Sequence, residues 1–404
     1  MLDKILGQIR KLIPKNIYSF FQPMYHYSLS LVGAILYGFP GKKINIITVT
    51  GTKGKSTTTE IINAVLEKAG YKTAVSNTIR IKIGDETKPN LYKMSMPGRF
   101  FIQNFIYNAV KSGCDYIVME VTSQGVLNFR HKFIYPNSLV FTNLSPEHIE
   151  AHGSYENYRD TKLKIAKELS KSNKRPRIIV VNSDDKESDK FLSYEFDKKI
   201  KFNMRNDIET SLIGDFNKYN ISGAYSLCKE LGIDENTIRL GIKEFKQVLG
   251  RVQFIKQGQD FDVVVDYAHT TDSLEKLYKA FPNKRKIAIL GGTGGGRDTW
   301  KRSEMGKIAD QYCDHIILTN EDPYDENPQN IVNDVAKGIK NHSLEIIMDR
   351  RQAIRQGIKL AKKGDAVLIT GKGTDPYIMG PNGQKQPWSD EEVAKQELKN
   401  IKTI

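Results

Sequence analysis

Residues suited to phosphate chemistry come early in the chain, in the segment VTGTKGKSTT from Val49 to Thr58. Glycine-rich backbone amides at a strand-to-helix turn face phosphate oxygens, a lysine reaches the terminal phosphates and a serine hydroxyl binds Mg²⁺. The usual phosphate-loop pattern places a glycine five residues before the Gly54-Lys55-Ser56 triplet, where this chain has Val49. A glycine turn with an ordinary helix cap is the alternative. The apolar run before the loop and the amphipathic run after it favour a nucleotide site.

Two further groups of polar residues follow apolar strands. Glu120 ends the run DYIVME, where a lone carboxylate is costly unless it binds a metal or another partner. The second group, Glu147, His148, Glu150 and His152, follows NSLVFTNL. The start of a solvated helix explains its glutamates equally well. Metal chemistry is therefore one of two interpretations at this point.

Composition indicates a globular chain of two or three domains, with 404 residues of which 39% are hydrophobic and 27% charged. Three scattered cysteines without a CxxC pair argue against disulfides or zinc and favour a reducing compartment. The net charge of +14 favours an anionic partner. Because no nucleic-acid-binding motif stands out, we expect no nucleic-acid partner and assign most of the excess to solvated lysine.

Alternating strand and helix patterns must position these residues. A strand in KINIITVT, a helix over 56–69 and further alternation to about residue 205 predict a doubly wound, mostly parallel sheet. A second series starts near Leu249, with strands in DVVVDYA, RKIAILGG, DHIILTN, LEIIMD and AVLITGKG. The predicted hinge lies between a helical stretch at 215–247 and GRVQF. The predicted fold class is α/β: a P-loop-type central ATPase domain, a C-terminal Rossmann-like domain and a short helical segment before both.

Residues 1–42 form this N-terminal segment, which combines an amphipathic and an aromatic helix. Apolar residues recur at helical spacing over 2–13, and Ile17 to Phe39 contains no Asp, Glu, Lys or Arg. That run is long enough to span a bilayer, but its polar side chains favour another role, and no cleavable signal peptide is evident. Two alternatives stay open: packing on the ATPase domain or on a second subunit, and peripheral contact with the inner membrane face.

Taken in order, these segments resemble the Mur ligase family, ATP-dependent enzymes that add amino acids to the peptide stem of cell-wall precursors. The family loop TGTxGK[ST] matches Thr50 to Ser56, and the resemblance extends from about Lys43 to the C-terminus. It implies an ATP-binding domain at 43–248, an amino-acid-binding domain at 249–404, and a cytoplasmic ligase that forms an amide through an acyl phosphate. A folylpolyglutamate-type or other non-wall ligase and a non-catalytic nucleotide-binding relative are the alternatives.

The resemblance also implies roles for individual residues, with ATP and Mg²⁺ as cofactors. The implied catalytic residues are Lys55, Glu120, His148 and Lys162. The implied Mg²⁺ ligands are Ser56, Glu120, His148 and a carbamylated Lys162. A lysine on a solvated helix face is the alternative for Lys162. The implied ATP contacts are Gly51, Thr52, Lys53, Gly54, Lys55, Ser56, Thr57, Asn217, Asn220, Arg251, Asp266 and His269.

Substrate residues follow from the same motifs. Family members that add meso-diaminopimelate carry Asp-Asn-Pro-Arg where this chain has Glu321-Asp322-Pro323-Tyr324. Loss of the arginine, with an acid kept at Asp375, favours lysine or another diamine without a second carboxylate. The predicted amino-acid contacts are Arg297, Glu321, Asp322, Tyr324, Gly371 and Asp375. The predicted acceptor contacts are Arg99, Thr122 and Ser123.

The acceptor itself has two interpretations. Tripeptide synthetases of the family grip a nucleotide sugar with an N-terminal domain of about a hundred residues, a usual size for a small domain. This chain reaches its phosphate loop by residue 51. The acceptor is therefore expected to be either the nucleotide-linked precursor or a lipid-linked or truncated one.

Overall fold

A computed structural model describes residues 15–147, 149–296 and 299–402. The predicted helix over 2–13 and the predicted site residues His148 and Arg297 lie outside these residues. Contacts divide the chain into two compact units. Unit one comprises the described residues up to 203 together with 220–241, and unit two comprises 204–219 and the described residues from 242 onward. The domain ranges 1–42, 43–248 and 249–404 stay predictions.

The sheet of unit one has eight strands in the order β4-β3-β2-β5-β1-β6-β7-β8. Strands β2, β5, β1, β6, β7 and β8 are parallel to one another. Strands β3 and β4 are antiparallel and form one edge of the sheet. Central strands such as NIITVT are buried on both faces, as expected for a parallel sheet covered by helices. The strands are β1 Asn45–Thr50, β2 Thr73–Ser76, β3 Arg80–Ile83, β4 Glu86–Pro89, β5 Tyr116–Glu120, β6 Ser138–Phe141, β7 Ile178–Asn182 and β8 Lys198–Phe202.

Helices connect these strands and continue to residue 244. A short 3₁₀ turn, Pro40–Lys43, precedes β1. In chain order the helices are α1 Lys15–Leu36, α2 Lys55–Lys68, α3 Arg99–Lys111, α4 Ser123–Leu127, α5 Ile149–His152, α6 Tyr155–Ser170, α7 Ser188–Leu192, α8 Asp215–Glu230 and α9 Glu235–Glu244.

Unit two has a six-stranded sheet in the order β13-β12-β11-β14-β10-β9, parallel except for β9, and a separate β15-β16 hairpin. Alternate residues of β10 face two apolar clusters, Val264 in one and Val263 with Val265 in the other, so both sheet faces are covered. The strands are β9 Gln253–Phe254, β10 Asp262–Val265, β11 Lys286–Leu290, β12 His315–Leu318, β13 Ser343–Ile346, β14 Ala366–Ile369, β15 Tyr377–Met379 and β16 Lys385–Pro387. The helices are α10 Thr271–Lys279, α11 Lys301–Tyr312, α12 Pro328–Ala336, α13 Arg350–Leu360 and α14 Asp390–Lys402.

The predicted α/β fold class is confirmed, and the predicted strands and the helix after the loop occur where the patterns placed them. Helix α1 contains Pro23 and packs on α3, with Ser30 and Ala34 buried. Within the described part of the chain, none of the helices is both long and apolar enough to cross a membrane.

Candidate active site

Two glycines shape the phosphate loop between β1 and α2. Gly51 and Gly54 have φ values of 150° and 82°. A Cβ atom on Gly51 would lie 2.0 Å from Thr142 Oγ1, and one on Gly54 would lie 2.1 Å from Asn220 Oδ1. Glycine is therefore needed for this backbone path, which presents the loop amides and the amino end of α2 at the carboxyl edge of the sheet.

Lys55 and Ser56, the first residues of α2, meet Glu120 at the end of β5. The Ser56 hydroxyl donates to Glu120 Oε2 at 2.8 Å. Lys55 Nζ lies 3.7 Å from Glu120 Oε1 and donates to the Thr52 carbonyl at 2.9 Å. Because β1 and β5 are adjacent parallel strands, with Val49 opposite Glu120, their ends bring a cation, a hydroxyl and a carboxylate together.

Thr78 and Ser95, which the sequence patterns did not identify, help to hold Glu120. The Thr78 amide and hydroxyl donate to Glu120 Oε2 at 3.3 and 3.1 Å, and Ser95 Oγ lies 2.6 Å from Thr78 Oγ1. Glu120 is only 3% exposed, so these hydrogen bonds offset part of the cost of burying its charge. Thr78 follows β2, the other parallel neighbour of β5, so its proximity to Glu120 depends on the strand order.

The oxygen atoms at this edge suit a magnesium ion bound together with phosphates. Ser56 and Glu120 supply a hydroxyl and a carboxylate, and Mg²⁺ in nucleotide sites is held by one or two carboxylates, substrate phosphates and waters. Over the described ranges, no group of three or more His, Cys, Asp or Glu side chains could hold a metal ion. His148 lies outside these ranges, and its role stays a prediction.

Lys162 on α6 lies inside the site. It is 2% exposed, and its Nζ donates to the Gly51 carbonyl at 2.7 Å. The alternative of a lysine on a solvated helix face is therefore wrong. Burial, and then the positive charge of Lys55, hold the pKa of Lys162 well below its usual value. The structure thus places a buried amine, whose pKa is lowered, next to the phosphate loop.

Two of the predicted acceptor residues lie at the start of the short helix α4. Thr122 Oγ1 accepts from the Gly125 amide at 3.1 Å as the N-cap of this helix. Ser123 Oγ lies 3.1 Å from His152 Nε2. Both residues follow β5 directly and therefore lie near the carboxyl end that carries Glu120.

Arg99, the third predicted acceptor residue, belongs to a cationic cluster. Its Nε donates to the Asn128 carbonyl at 3.1 Å, and Arg130 Nη1 donates to the Met96 carbonyl. Burial, followed by the charges of Arg99 and Arg130, lowers the pKa of His26 to about 4. Arg130 was not identified from the sequence, because its proximity to Arg99 depends on how α3 and the chain after α4 pack.

The predicted adenine-reading asparagines have different partners. Asn220 Oδ1 accepts from Thr58 Oγ1 at 3.4 Å and lies beside Gly54 within unit one. Asn217, in unit two, donates its side-chain amide to the Ile213 carbonyl at 2.7 Å. Asn220 is thus placed beside the phosphate loop of its own unit.

Asp266 organises the end of β10 in unit two. Its Oδ2 accepts from the Val252 amide at 2.7 Å, and its Oδ1 accepts a second backbone amide at 2.6 Å. The Arg251 guanidinium lies 4.3 Å from the Tyr267 ring centroid, and His269 Nδ1 lies 2.7 Å from the Tyr267 carbonyl. Of the four predicted ATP contacts in unit two, Arg251, Asp266 and His269 are therefore grouped at one strand end.

Glu321 occupies space left by glycines at the carboxyl edge of the second sheet. A Cβ atom on Gly371 would lie 2.3 Å from Glu321 Oε2, and one on Gly291 would lie 2.9 Å from its Cβ. Glu321 is 3% exposed, and its Oε1 accepts from Thr293 Oγ1 at 3.0 Å. Burial raises the pKa of Glu321.

Asp322 and Asp375 both contact an amine that belongs to the chain. Lys372 Nζ lies 2.7 Å from Asp322 Oδ1 and 3.1 Å from Asp375 Oδ2, and Lys372 is 1% exposed. Tyr324 has a φ of 52°, and its ring lies against Gly295. The sequence patterns did not identify Lys372 as a site residue. Its position between the two glycines of the GKG segment could have indicated it.

The two halves of the chain match two models of one family. The model of the Mur ligase middle domain matches residues 49–228, and that of the Mur ligase, glutamate ligase domain matches residues 250–373. The UDP-N-acetylmuramoyl-L-alanyl-D-glutamate–2,6-diaminopimelate ligase of Syntrophomonas wolfei subsp. wolfei is 33% identical, over 92% of this chain and 82% of that protein. The chain belongs to the Mur ligase family.

Other relatives of this Mur ligase agree. The ligase of the same name from Aquifex aeolicus is 32% identical, over 90% of this chain and 79% of that one. A solved structure of a UDP-N-acetylmuramoyl-L-alanyl-D-glutamate–2,6-diaminopimelate ligase has a TM-score of 0.60 at 26% identity, over 89% and 79% of the two chains. FolC of E. coli with ADP has a TM-score of 0.70 at 18% identity, over 100% and 97%, which shows a shared fold.

Family membership and the class of ATP-dependent ligase are thereby confirmed as predicted, with ATP and Mg²⁺ as the cofactors of the family. The roles of the individual site residues in this Mur ligase stay predictions.

Proposed function

We propose that this Mur ligase joins the amine of an amino acid to a carboxylate of a peptidoglycan precursor. The observation that supports this most directly is the grouping of Lys55, Ser56, Glu120 and Lys162 around the Gly51–Gly54 loop. The names of its relatives, which act on UDP-N-acetylmuramoyl-L-alanyl-D-glutamate, point to the same class of acceptor. Because the reaction consumes ATP, we place it in the cytoplasm.

In the proposed reaction an acceptor carboxylate oxygen attacks the γ-phosphorus of ATP, and ADP leaves as an acyl phosphate forms. The amine nitrogen then attacks the acyl carbon, phosphate leaves and the nitrogen loses a proton. The loop amides and Lys55 orient the phosphates and offset their charge. Ser56 and Glu120 would hold Mg²⁺, which supplies further charge neutralisation. The helix dipole of α2 acts in the same direction.

We propose that Lys162 acts as a carbamate. Its amine is buried and its pKa is lowered, which favours the neutral form that adds carbon dioxide. The modification would convert a cationic side chain into an anionic one beside Lys55. That anion would organise the metal and phosphate groups together with Glu120.

The acceptor would be anionic. Arg99 and Arg130 are the cations proposed to meet it, and Thr122 and Ser123 supply hydroxyls after β5. A nucleotide-linked and a lipid-linked precursor share this anionic chemistry. Self-association through residues 1–42 stays a prediction that this reaction does not require.

For the incoming amino acid we propose a diamine without a second carboxylate. Tyr324 replaces the arginine of the Asp-Asn-Pro-Arg motif, and Lys372 is matched by two aspartates with Glu321 in addition. The observation that supports this choice is the loss of the motif's arginine, because that cation would hold a distal carboxylate. The relatives are named for 2,6-diaminopimelate, which makes that compound the necessary comparison.

The test measures ADP release by the purified protein with ATP, Mg²⁺, UDP-N-acetylmuramoyl-L-alanyl-D-glutamate and either lysine or meso-diaminopimelate. We expect release to require both acceptor and amino acid, with lysine preferred. Tyr324→Arg should shift the preference towards meso-diaminopimelate, whereas Tyr324→Phe should leave it unchanged. Turnover with a folate acceptor instead would replace the proposed function by a folylpolyglutamate-type one. A wild-type preference for meso-diaminopimelate would refute the proposed amino-acid pocket.

A further inference from the structure

Helix α1, helix α3 and the segment 127–135 form one continuous surface of unit one, here called the α1–α3 face. The Ser30 hydroxyl donates to the Phe129 carbonyl at 2.9 Å, and the rings of Tyr27 and Phe133 lie 5.5 Å apart. Beyond the end of α1, the ring of Tyr37 lies 5.6 Å from that of Tyr107 on α3. Three segments that are distant in sequence therefore pack into one surface.

The outward side of α1 is apolar. Met24, Tyr25, Val32, Ile35 and Leu36 are 45% to 68% exposed. Their spacing of three, four and seven residues places them on one side of the helix. On α3, Phe100 and Tyr107 are also exposed. An exposed apolar stripe of this length on one helix indicates a surface that binds another protein or a membrane.

The three segments of this face contain no acidic residue of their own, and Glu168 of α6 lies beside them, paired with Lys132. The chain has 47 acidic residues, yet none occurs from Lys4 to Thr59, from Thr87 to Cys114 or from Val121 to Pro146. These stretches include all three segments of the face. The exposed basic residues of these stretches include Lys42, Lys43 and Lys111. The face therefore combines exposed aliphatic and aromatic side chains with cations.

We propose that the α1–α3 face lies on an anionic lipid bilayer, with the apolar stripe of α1 in the headgroup region and the exposed lysines at its edges. Exposed apolar residues on one side of a helix, flanked by basic residues and tyrosines, are typical of interfacial binding. A symmetric dimer through this face would bring together two surfaces that both carry exposed lysines and no acidic residue of their own segments. Binding of a nucleic acid to this face would place the apolar side chains of Val32, Ile35 and Leu36 against charged phosphates, which is unfavourable. The proposal goes beyond the ligase reaction and does not depend on it.

The test uses the full-length protein in co-sedimentation with two kinds of vesicle, phosphatidylcholine alone and phosphatidylcholine with phosphatidylglycerol. We expect binding to the anionic vesicles that weakens as salt is raised. The double variant Met24→Glu, Ile35→Glu should reduce the bound fraction by about tenfold or more, because it places acids in the headgroup region. The matched control is Leu240→Glu, which changes an exposed leucine on α9 and should bind as the wild type does.

Thermal unfolding and Mg·ADP binding, measured on each variant, verify that it is folded. Loss of vesicle binding by the folded double variant with retention by Leu240→Glu supports the proposal. Wild-type protein that ignores anionic vesicles overturns it. Gel filtration that shows a dimer dissociated by the double variant, without vesicle binding, overturns it in favour of a second copy. Equal binding by all three proteins overturns it as well.

Discussion

At the scale of single residues, the site contains buried ionisable side chains that differ in how many hydrogen-bond and ion-pair partners they have. Glu120 accepts from Ser56 and from both donors of Thr78 and lies near Lys55. Lys162 forms no ion pair with any residue in the described part of the chain and donates to a carbonyl instead. Hydrogen bonds to a carboxylate favour its charged form, whereas burial of an amine disfavours the charged form. This difference separates the proposed role of Glu120 from that of Lys162.

The first prediction concerns Lys55 and Glu120. Lys55→Ala and Glu120→Ala should each lower kcat by at least about a hundredfold, because each removes a charge that acts on the transferred phosphate. Lys68→Ala changes an exposed lysine at the other end of α2 and should retain wild-type turnover. Steady-state ADP release is the measurement, with thermal unfolding as the check on folding. Wild-type turnover by either folded site variant would contradict the assigned roles.

The second prediction tests the carbamate. Lys162→Ala should lose most of its activity, regain part of it with added short carboxylic acids, and show no response to bicarbonate, because a free carboxylate takes the place of the carbamate. Lys164→Ala, an exposed lysine on the same helix, should behave as the wild type does. Full activity of Lys162→Ala without any additive would show that no carbamate is needed.

At the scale of elements, the turn from β1 into α2 depends on close backbone approach as well as on positive φ. Gly54 and Gly70 have similar φ values of 82° and 87° and lie at opposite ends of α2. A Cβ atom on Gly54 would collide with the buried Asn220 side chain, whereas one on Gly70 would meet nothing within 4 Å. Substitution at Gly70 therefore tests backbone strain alone, whereas substitution at Gly54 tests strain together with steric collision.

The third prediction uses this pair. Gly70→Ala should cost about 1 kcal/mol of unfolding free energy from strain and retain Mg·ADP binding. Gly54→Ala should cost a further 1–3 kcal/mol, roughly, and lose most nucleotide affinity, because the loop or Asn220 must move. Denaturant unfolding and calorimetric titration with Mg·ADP measure the two effects. Equal stability and equal affinity of the two variants would show that close approach at Gly54 is unimportant.

At the scale of the whole molecule, the compact units do not follow the chain in simple order. Residues 204–219 belong to unit two although 220–241 belong to unit one. Ile213 and Phe216 pack against the apolar cluster that contains Val264 and Leu290. A fragment that starts at the predicted boundary of residue 249 therefore lacks part of the core of its own unit.

The fourth prediction compares the fragments 249–404 and 204–404. The shorter one should be less stable by roughly 2–4 kcal/mol, because it leaves uncovered the apolar surface that Ile213 and Phe216 bury. Urea unfolding followed by circular dichroism measures the difference. Phe216→Ala in the longer fragment should reproduce part of this loss of stability, because it removes one of the two buried side chains. Equal unfolding midpoints for the two fragments would indicate that residue 249 is a true domain boundary.

The amino-acid sequence by itself determined the α/β fold class, the phosphate loop and membership of the ligase family. These features depend on short contiguous patterns, such as the loop from Thr50 to Ser56 and the alternation of strands and helices, and such patterns are readable along the chain.

Only the tertiary structure decided which side chains meet. Thr78 reaches Glu120 because β2 and β5 are neighbours in the sheet, although the two residues are far apart in sequence. Lys372 lies against Asp322 because β14 and β12 end at the same edge. Whether Lys162 is solvated or buried likewise depends on the elements that α6 packs against. Contacts of this kind are set by strand order and packing, and no local pattern encodes them.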